Sequence, residues 1–394
     1  MQIEKFQYMM KKFFSARWKA LITAMALCLP LTAVQADLIK MKDVAGREIQ
    51  LEQPAQRIIL ADSRILQALQ LVKPENTFQS VIALDDALKT KAPDLYNLYT
   101  KSYPQLAKLP VFQNPLLTDF SVEKAIMLHP DLIIFDVAAE KKLASSGAME
   151  QLAALKIPVA FTDFRLHPLT NSTVSIRLLG QALGNKQAAE DYIQFYQSRL
   201  DMIRQRTASL RDEQRPSVFI ERHAGMTGEE CCFTYGAGSF GEFIQLAGGK
   251  NIGSTLFKGK NGVMSLEQLI SSNPDMYLMT GADWGSTYHQ SIGVPLGYNA
   301  DRALSQQRMQ KLMERQGISV LKAAQDKQVM AVYHQYYDNP MNVLAVEAIA
   351  KFLHPDLFTD LDPQADIQMV HEKFMHQPFN GTFWLMLPTP QTQP

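Results

Sequence analysis

Short, mainly apolar runs recur at 57–61 (behind Arg57), 81–84, 132–135 and 157–161. They are too short for helices, are bounded by turn residues and predict buried strands. Between them, apolar positions three and four apart predict helices. One starts at Ser63 with Ile65, Leu66 and Leu69 on one face, one spans 121–128 behind a Ser121 cap, and one spans 149–155. Strand and helix in alternation imply a parallel sheet covered on both faces. A second region repeats the pattern, with strands at 217–220, 276–279 and 328–333 and helices at 241–247, 265–271 and 342–353. The stretch between the regions is helical throughout. A helix at 171–183 breaks at Gly184 and Asn185, and a longer one at 186–210 carries Ala189, Tyr192, Ile193, Tyr196, Leu200 and Ile203 as one apolar stripe. The expectation is an α/β protein of two lobes joined by one long helix. The cleft between the lobes is where a small ligand would bind. A last helix near 362–374 and a loose, Pro-rich tail complete the prediction.

The two regions echo each other. Residues 121–134 and 265–278 share Ser, Glu, Ile, Pro and Asp at an offset of 144, so each lobe carries a capped helix, a Pro-Asp turn and a strand.

The balanced composition, 39 Lys+Arg against 39 Asp+Glu, argues against a general nucleic-acid binder. The balance hides an uneven distribution. Residues 1–36 hold Lys5, Lys11, Lys12, Arg17 and Lys19, then an apolar run at 20–33 and small residues up to Ala36, the layout of a secretory signal peptide cut after Ala36. The apolar run is too short to span a bilayer. Removing this segment leaves 34 basic and 38 acidic residues, a net charge of −4. The expected organisation is a signal peptide at 1–36, lobes at 37–170 and 213–361, linker helices at 171–212, and a C-terminal helix and tail at 362–394. Export also leaves only Cys231 and Cys232, adjacent residues that an oxidising compartment can join in a vicinal disulfide.

Motifs of catalysis are sparse. Gly236–Gly241 fits G-x-G-x-x-G, but no convincing strand precedes it and no acidic residue follows at the expected strand end. The chain has no G-x-S-x-G, H-E-x-x-H or C-x-x-C, and its eight histidines lack metal-ligand spacing. His129 and His354 are expected in solvated loops and His371 and His376 at the surface; no metal site is assigned, although His223, His289 and His334 could meet in space. The strand ends, where α/β proteins place ligands, are richer. They carry Arg64, Arg165, Arg222 and His223, together with Trp284, Tyr336 and Tyr337. Arginine forks hold anionic oxygens and aromatic faces stack on planar ligands.

Several segments resemble one family. These are Asp43-Val-Ala-Gly-Arg-Glu-Ile, Pro54-Ala-Gln-Arg-Ile-Ile-Leu, Ser121-Val-Glu-Lys-Ala, Leu128-His-Pro-Asp-Leu-Ile-Ile, Phe243-Ile-Gln-Leu-Ala-Gly-Gly-Lys-Asn-Ile-Gly and Leu353-His-Pro-Asp-Leu-Phe. Over roughly residues 40–365 the chain is similar to the periplasmic substrate-binding proteins of iron-siderophore, haem and cobalamin ABC importers. The resemblance implies two Rossmann-like lobes with parallel sheets, no catalysis, no covalently bound cofactor, and a monomer that hands its ligand to an inner-membrane ABC permease. It places permease-docking carboxylates at Glu123 and Glu242, with Glu267, the repeat counterpart of Glu123, as the competitor in the second lobe. The expected ligand is a ferric siderophore held by Arg64, Arg165, Arg222, His223, Trp284, Tyr336 and Tyr337. Haem or cobalamin is the alternative, and an exported redox protein or enzyme using Cys231 and Cys232 is the second. Residues 85–118 are longer than the family pattern suggests.

Overall fold

The computed structural model describes residues 38–258 and 261–387. The expected signal peptide, with Cys28, lies outside the described residues. Among them, no helix is long and apolar enough to cross a membrane.

The strands in chain order are β1 (Ile39–Lys42), β2 (Glu48–Leu51), β3 (Ile58–Leu60), β4 (Val81–Asp85), β5 (Val111–Phe112), β6 (Leu132–Asp136), β7 (Val159–Thr162), β8 (Ser217–Glu221), β9 (Phe233–Tyr235), β10 (Lys250–Asn251), β11 (Asn261–Val263), β12 (Met276–Gly281), β13 (Gly297–Tyr298), β14 (Val329–Tyr333), β15 (Gly381–Thr382) and β16 (Trp384–Met386). The first lobe holds a five-stranded, all-parallel sheet in the order β5-β4-β3-β6-β7. Strands β3, β6 and β7 are buried at every position, which is why they read as unbroken apolar runs. The hairpin β1-β2 docks on this sheet through Asp43. Its carboxylate accepts the Arg47 backbone N–H at 2.9 Å and the Phe161 N–H at 3.1 Å, and the Arg47 guanidinium lies 4.2 Å over the Phe161 ring.

The second sheet departs from expectation. Its parallel centre, β8-β12-β14, matches the sequence reading, but β9 pairs antiparallel with β8, β11 antiparallel with β9, and β16 antiparallel with β14, so the sheet is mixed. The tail is not loose as far as Leu387. Strand β16 pairs with β14 and β15 with β13, because Phe383 and Leu385 bury their side chains there.

The repeat has a physical basis. Ser121 caps the Val122–Met127 helix, and Ser265 caps Leu266–Ser272 in a reciprocal box with Gln268. Each Pro-Asp turn then fixes the entry to the neighbouring strand. Asp131 accepts the backbone N–H groups of Gln56 and Arg57 ahead of β3, and Asp275 accepts the N–H and hydroxyl of Ser217 at the head of β8.

Between the lobes the Lys186–Thr207 helix spans 22 residues, about 33 Å. It buries the stripe read from the sequence, and its Tyr192 and Tyr196 hydroxyls donate to the Pro340 carbonyl and the Asn342 side chain at 2.9 and 2.7 Å. The G-x-G-x-x-G run has a packing reason. A Cβ at Gly241 would collide with the Gly236 carbonyl where the chain turns into the Phe240–Leu246 helix.

Candidate functional site

A cavity of about 230 Å³ opens where the strand ends of the two lobes meet. Arg64 and Arg165 reach it from the first lobe, and Arg222, His223, Trp284 and His334 from the second. Each stands just beyond a strand: Arg64 after β3, Arg165 after β7, Arg222 and His223 after β8, Trp284 after β12 and His334 after β14. The segment at 85–118 adds Lys91 and Asn114, which were not anticipated.

The first-lobe arginines are not isolated charges. Arg64, almost fully buried, donates to Asp62 at 3.0 Å and to the Tyr337 hydroxyl at 2.5 Å, and forms an ion pair with Asp338 at 2.8 Å. Arg165 donates to Asp338 at 2.7 Å and approaches Asp136 at 3.3 Å. Asp338 belongs to the second lobe, so these pairs cross the cleft. Carboxylate oxygens of Asp62, Asp136 and Asp338 lie within 4.8 Å of one another. Burial, reinforced by Asp338 and Asp62, pushes Asp136 well above the carboxylate range. Three buried acids beside two arginines thus favour keeping one proton. With Arg222 and Lys91 on the wall, the cavity lining is net cationic.

The second-lobe wall is made of rings. Its histidines face each other with Nε2 atoms 3.0 Å apart, and Trp284 meets both rings edge-on at 5.7 Å. Burial, with the nearby Arg222 charge, pushes His223 down to about 3, and burial, with the neighbouring His223, also holds His334 well below the ordinary imidazole value, so both imidazoles are neutral.

Tyr336 is not part of this wall. Residues His334–Asp338 form a 3-10 turn, where positions three apart share a face. His334 and Tyr337 therefore lie against each other on the cavity side, ring centres 4.8 Å apart and planes tilted by 39°. Tyr336 points the other way and is fully buried against Tyr333 and Phe383. Tyr337 does line the cavity, with the Arg64 and Arg165 guanidinium groups 5.8 and 5.6 Å from its ring centre.

Cys231 and Cys232 are joined by a disulfide and lie outside the cavity lining. The loop before them is anchored by Arg315, which donates to the Glu229 and Glu230 carbonyls and pairs with buried Glu221 at 2.6 Å. His289 stays exposed, away from the histidine pair. His371, expected at the surface, is fully buried: its Nε2 lies 2.8 Å from the Tyr298 hydroxyl and its Nδ1 2.8 Å from the Ile367 carbonyl. His354, expected in a solvated loop, is half-buried, with Nε2 3.2 Å from the Gly248 carbonyl.

The glutamates divide differently from expectation. Glu123 is exposed in the first turn of its helix. Glu242 is half-buried, 3.2 Å from His167 Nδ1, and burial raises its carboxyl. Glu267 is exposed at the start of Leu266–Ser272, in the same place on its helix as Glu123.

Comparison with known proteins agrees with this architecture. The TroA-like periplasmic binding protein FepB of Veillonella parvula superposes with a TM-score of 0.81 at 26% identity, covering 89% of this chain and 99% of that one. The molybdate periplasmic binding protein MolA of Haemophilus influenzae superposes at 0.64 with 17% identity, covering 87% and 99%. The periplasmic haem-binding protein RhuT of Roseiflexus sp. superposes at 0.52 with 19% identity, covering 77% and 99%. No curated protein matches the chain. The profile of the periplasmic binding protein family matches residues 75–336, well over half of the sequence. Two α/β lobes, a helix between them and a cavity at their facing strand ends are the fold of a solute-binding protein, and the chain belongs to the periplasmic binding protein family of ABC transport systems.

Proposed function

We propose that the protein captures a ferric siderophore in the periplasm and delivers it to an inner-membrane ABC permease. The observation that carries this reading is the lining of the cleft. Arg64, Arg165, Arg222 and Lys91 surround a cavity faced by Trp284, Tyr337 and the two histidines. Cationic forks suit the anionic oxygens of catecholate or carboxylate chelators, and the rings suit their planar parts. A cavity of about 230 Å³ favours a compact complex, or the metal-bearing end of a larger one. Glu123 and Glu267 are the docking pair, since both stand exposed at equivalent helix starts. Glu242, occupied with His167, is the weaker candidate.

Titration of Trp fluorescence with ferric siderophores, haem, cobalamin and molybdate tests the reading. Trp284 lines the cleft, so quenching should follow ferric siderophores and disappear in Trp284→Phe. Saturable quenching by haem, cobalamin or molybdate alone would overturn it. In cells that depend on this protein for iron, Glu123→Lys with Glu267→Lys should abolish iron uptake while ligand affinity is kept. Unchanged uptake would reject the docking pair.

A further inference from the structure

The histidine pair is more than a wall of rings. His223 Nε2 and His334 Nε2 face each other at 3.0 Å on the cavity side of the second lobe. Two nitrogens bound to one metal at about 2.0–2.1 Å are this far apart when the angle at the metal is roughly 90°. That is the angle between neighbouring corners of an octahedron or a square. A hydrogen bond between two neutral imidazoles has the same separation, so the spacing serves either a shared proton or a metal.

The surroundings favour a ligating role. One hydroxyl orients both residues: Thr280 Oγ1 accepts the His223 backbone N–H at 2.9 Å and lies 3.1 Å from His334 Nδ1. A partner on the far ring nitrogen is the support that metal-binding histidines ordinarily have. His223 is held in the left-handed backbone region at φ 60°, which directs its ring across the strand ends toward His334. The carboxylates of the cleft do not complete the site, because Asp62, Asp136 and Asp338 are engaged with Arg64 and Arg165. The other donors would come with the ligand.

We propose that the Nε2 atoms of His223 and His334 bind, at two adjacent positions, the metal of a chelate that leaves two neighbouring coordination sites open. The inference rests on the reading that the cleft receives a metal complex and narrows the class. Chelates that fill only four positions are bound through the metal, and those that fill six are not.

Untagged protein is titrated by calorimetry with two probes, nickel(II) nitrilotriacetate, which has four chelator donors, and nickel(II) EDTA, which has six. The expected result is one equivalent of the nitrilotriacetate complex bound, at least about tenfold tighter than the EDTA complex. X-ray absorption of that complex should show two imidazoles on nickel, a readout that needs no substitution. His223→Asn keeps the left-handed backbone, since Asn tolerates it, and cannot reach the metal. It should weaken nitrilotriacetate-complex binding by roughly 100-fold or more, and Thr280→Val by roughly 10- to 100-fold. His289→Ala, at an exposed position, should change nothing. Equal binding of the two probes, absence of binding, or unchanged affinity in His223→Asn would overturn direct ligation. The ferric-siderophore reading survives each of those results, because it falls only when intact ferric siderophores fail to quench Trp284.

Discussion

The two lobes meet along a seam whose ends differ in kind. At the cavity end the lobes are tied by charge: Arg64 and Arg165 of the first lobe hold Asp338 of the second. Deeper in the seam most ties join neutral groups, the exception being the Tyr333 hydroxyl, which donates to buried Asp94 at 2.6 Å. Gln67 donates to the Tyr298 hydroxyl at 2.8 Å, Asn339 bonds to Gln67, and Gln70 donates to the Met375 carbonyl at 2.9 Å. Tyr298 in turn meets buried His371. The contrast separates two tasks. Neutral, fully buried hydrogen bonds fix how the lobes sit. A charged cluster beside a cavity can exchange one carboxylate partner for the oxygen of an incoming anion.

Removing charge at the cavity end should have the largest effect on the protein without ligand. Arg64→Met leaves Asp62 and Asp338 buried with less compensation and should cost about 3–5 kcal/mol in urea unfolding. A loss below about 1 kcal/mol would mean that this end contributes no more than an exposed pair.

At the neutral end the sharper probe is acid. Burial holds His371 down at about 4, against an ordinary 6.5. A depressed imidazole binds fewer protons folded than unfolded. Its contribution is therefore fully present above pH 6.5 and is lost as pH falls from 6.5 toward 4, to a limit of about 3 kcal/mol. His371→Gln should flatten that part of the stability profile. An unchanged acid slope would show that the clasp does not depend on a neutral His371.

The smallest effect is expected inside the second lobe, at Tyr336. Its hydroxyl is buried with no hydrogen-bond partner among the described residues. Tyr336→Phe should therefore change stability by no more than about 0.5 kcal/mol and leave ligand affinity intact. Tyr337→Phe, which removes the acceptor of an Arg64 N–H, should lower ligand affinity. Loss of affinity in Tyr336→Phe instead would place that ring in the cleft after all.

That tyrosine pair shows where sequence reasoning stops. Both residues were legible as aromatic groups at a strand end, but choosing between them needed the local helix type. A 3-10 turn groups His334 with Tyr337, a spacing of three that an extended loop would not have given. His371 was read as exposed because it lies near the terminus in a polar context, whereas tertiary packing of β15 and β16 covers it. Glu242 and Glu267 each stand in the first turn of a helix, and only their neighbours separate them. One has His167 from beyond the linker helix, the other has solvent.

The elements of the fold follow from the sequence by itself. Strand runs, capped helices, the repeat at an offset of 144 and the stripe of the linker helix are set by periodicity and local hydrogen bonding, which act over a few residues. The strand ends carried the arginines and aromatics of the cleft, and topology sends such ends to one side of each sheet. What remained for the tertiary structure were relations between residues far apart in the chain. Asp338 takes the charge of Arg64 and Arg165 across 274 and 173 positions, and His223 comes to lie against His334 across 111. Such contacts have no period and no fixed spacing. They exist only once two sheets face each other, and that is why the sequence allowed His223, His289 and His334 to meet while only the fold selected His223 and His334.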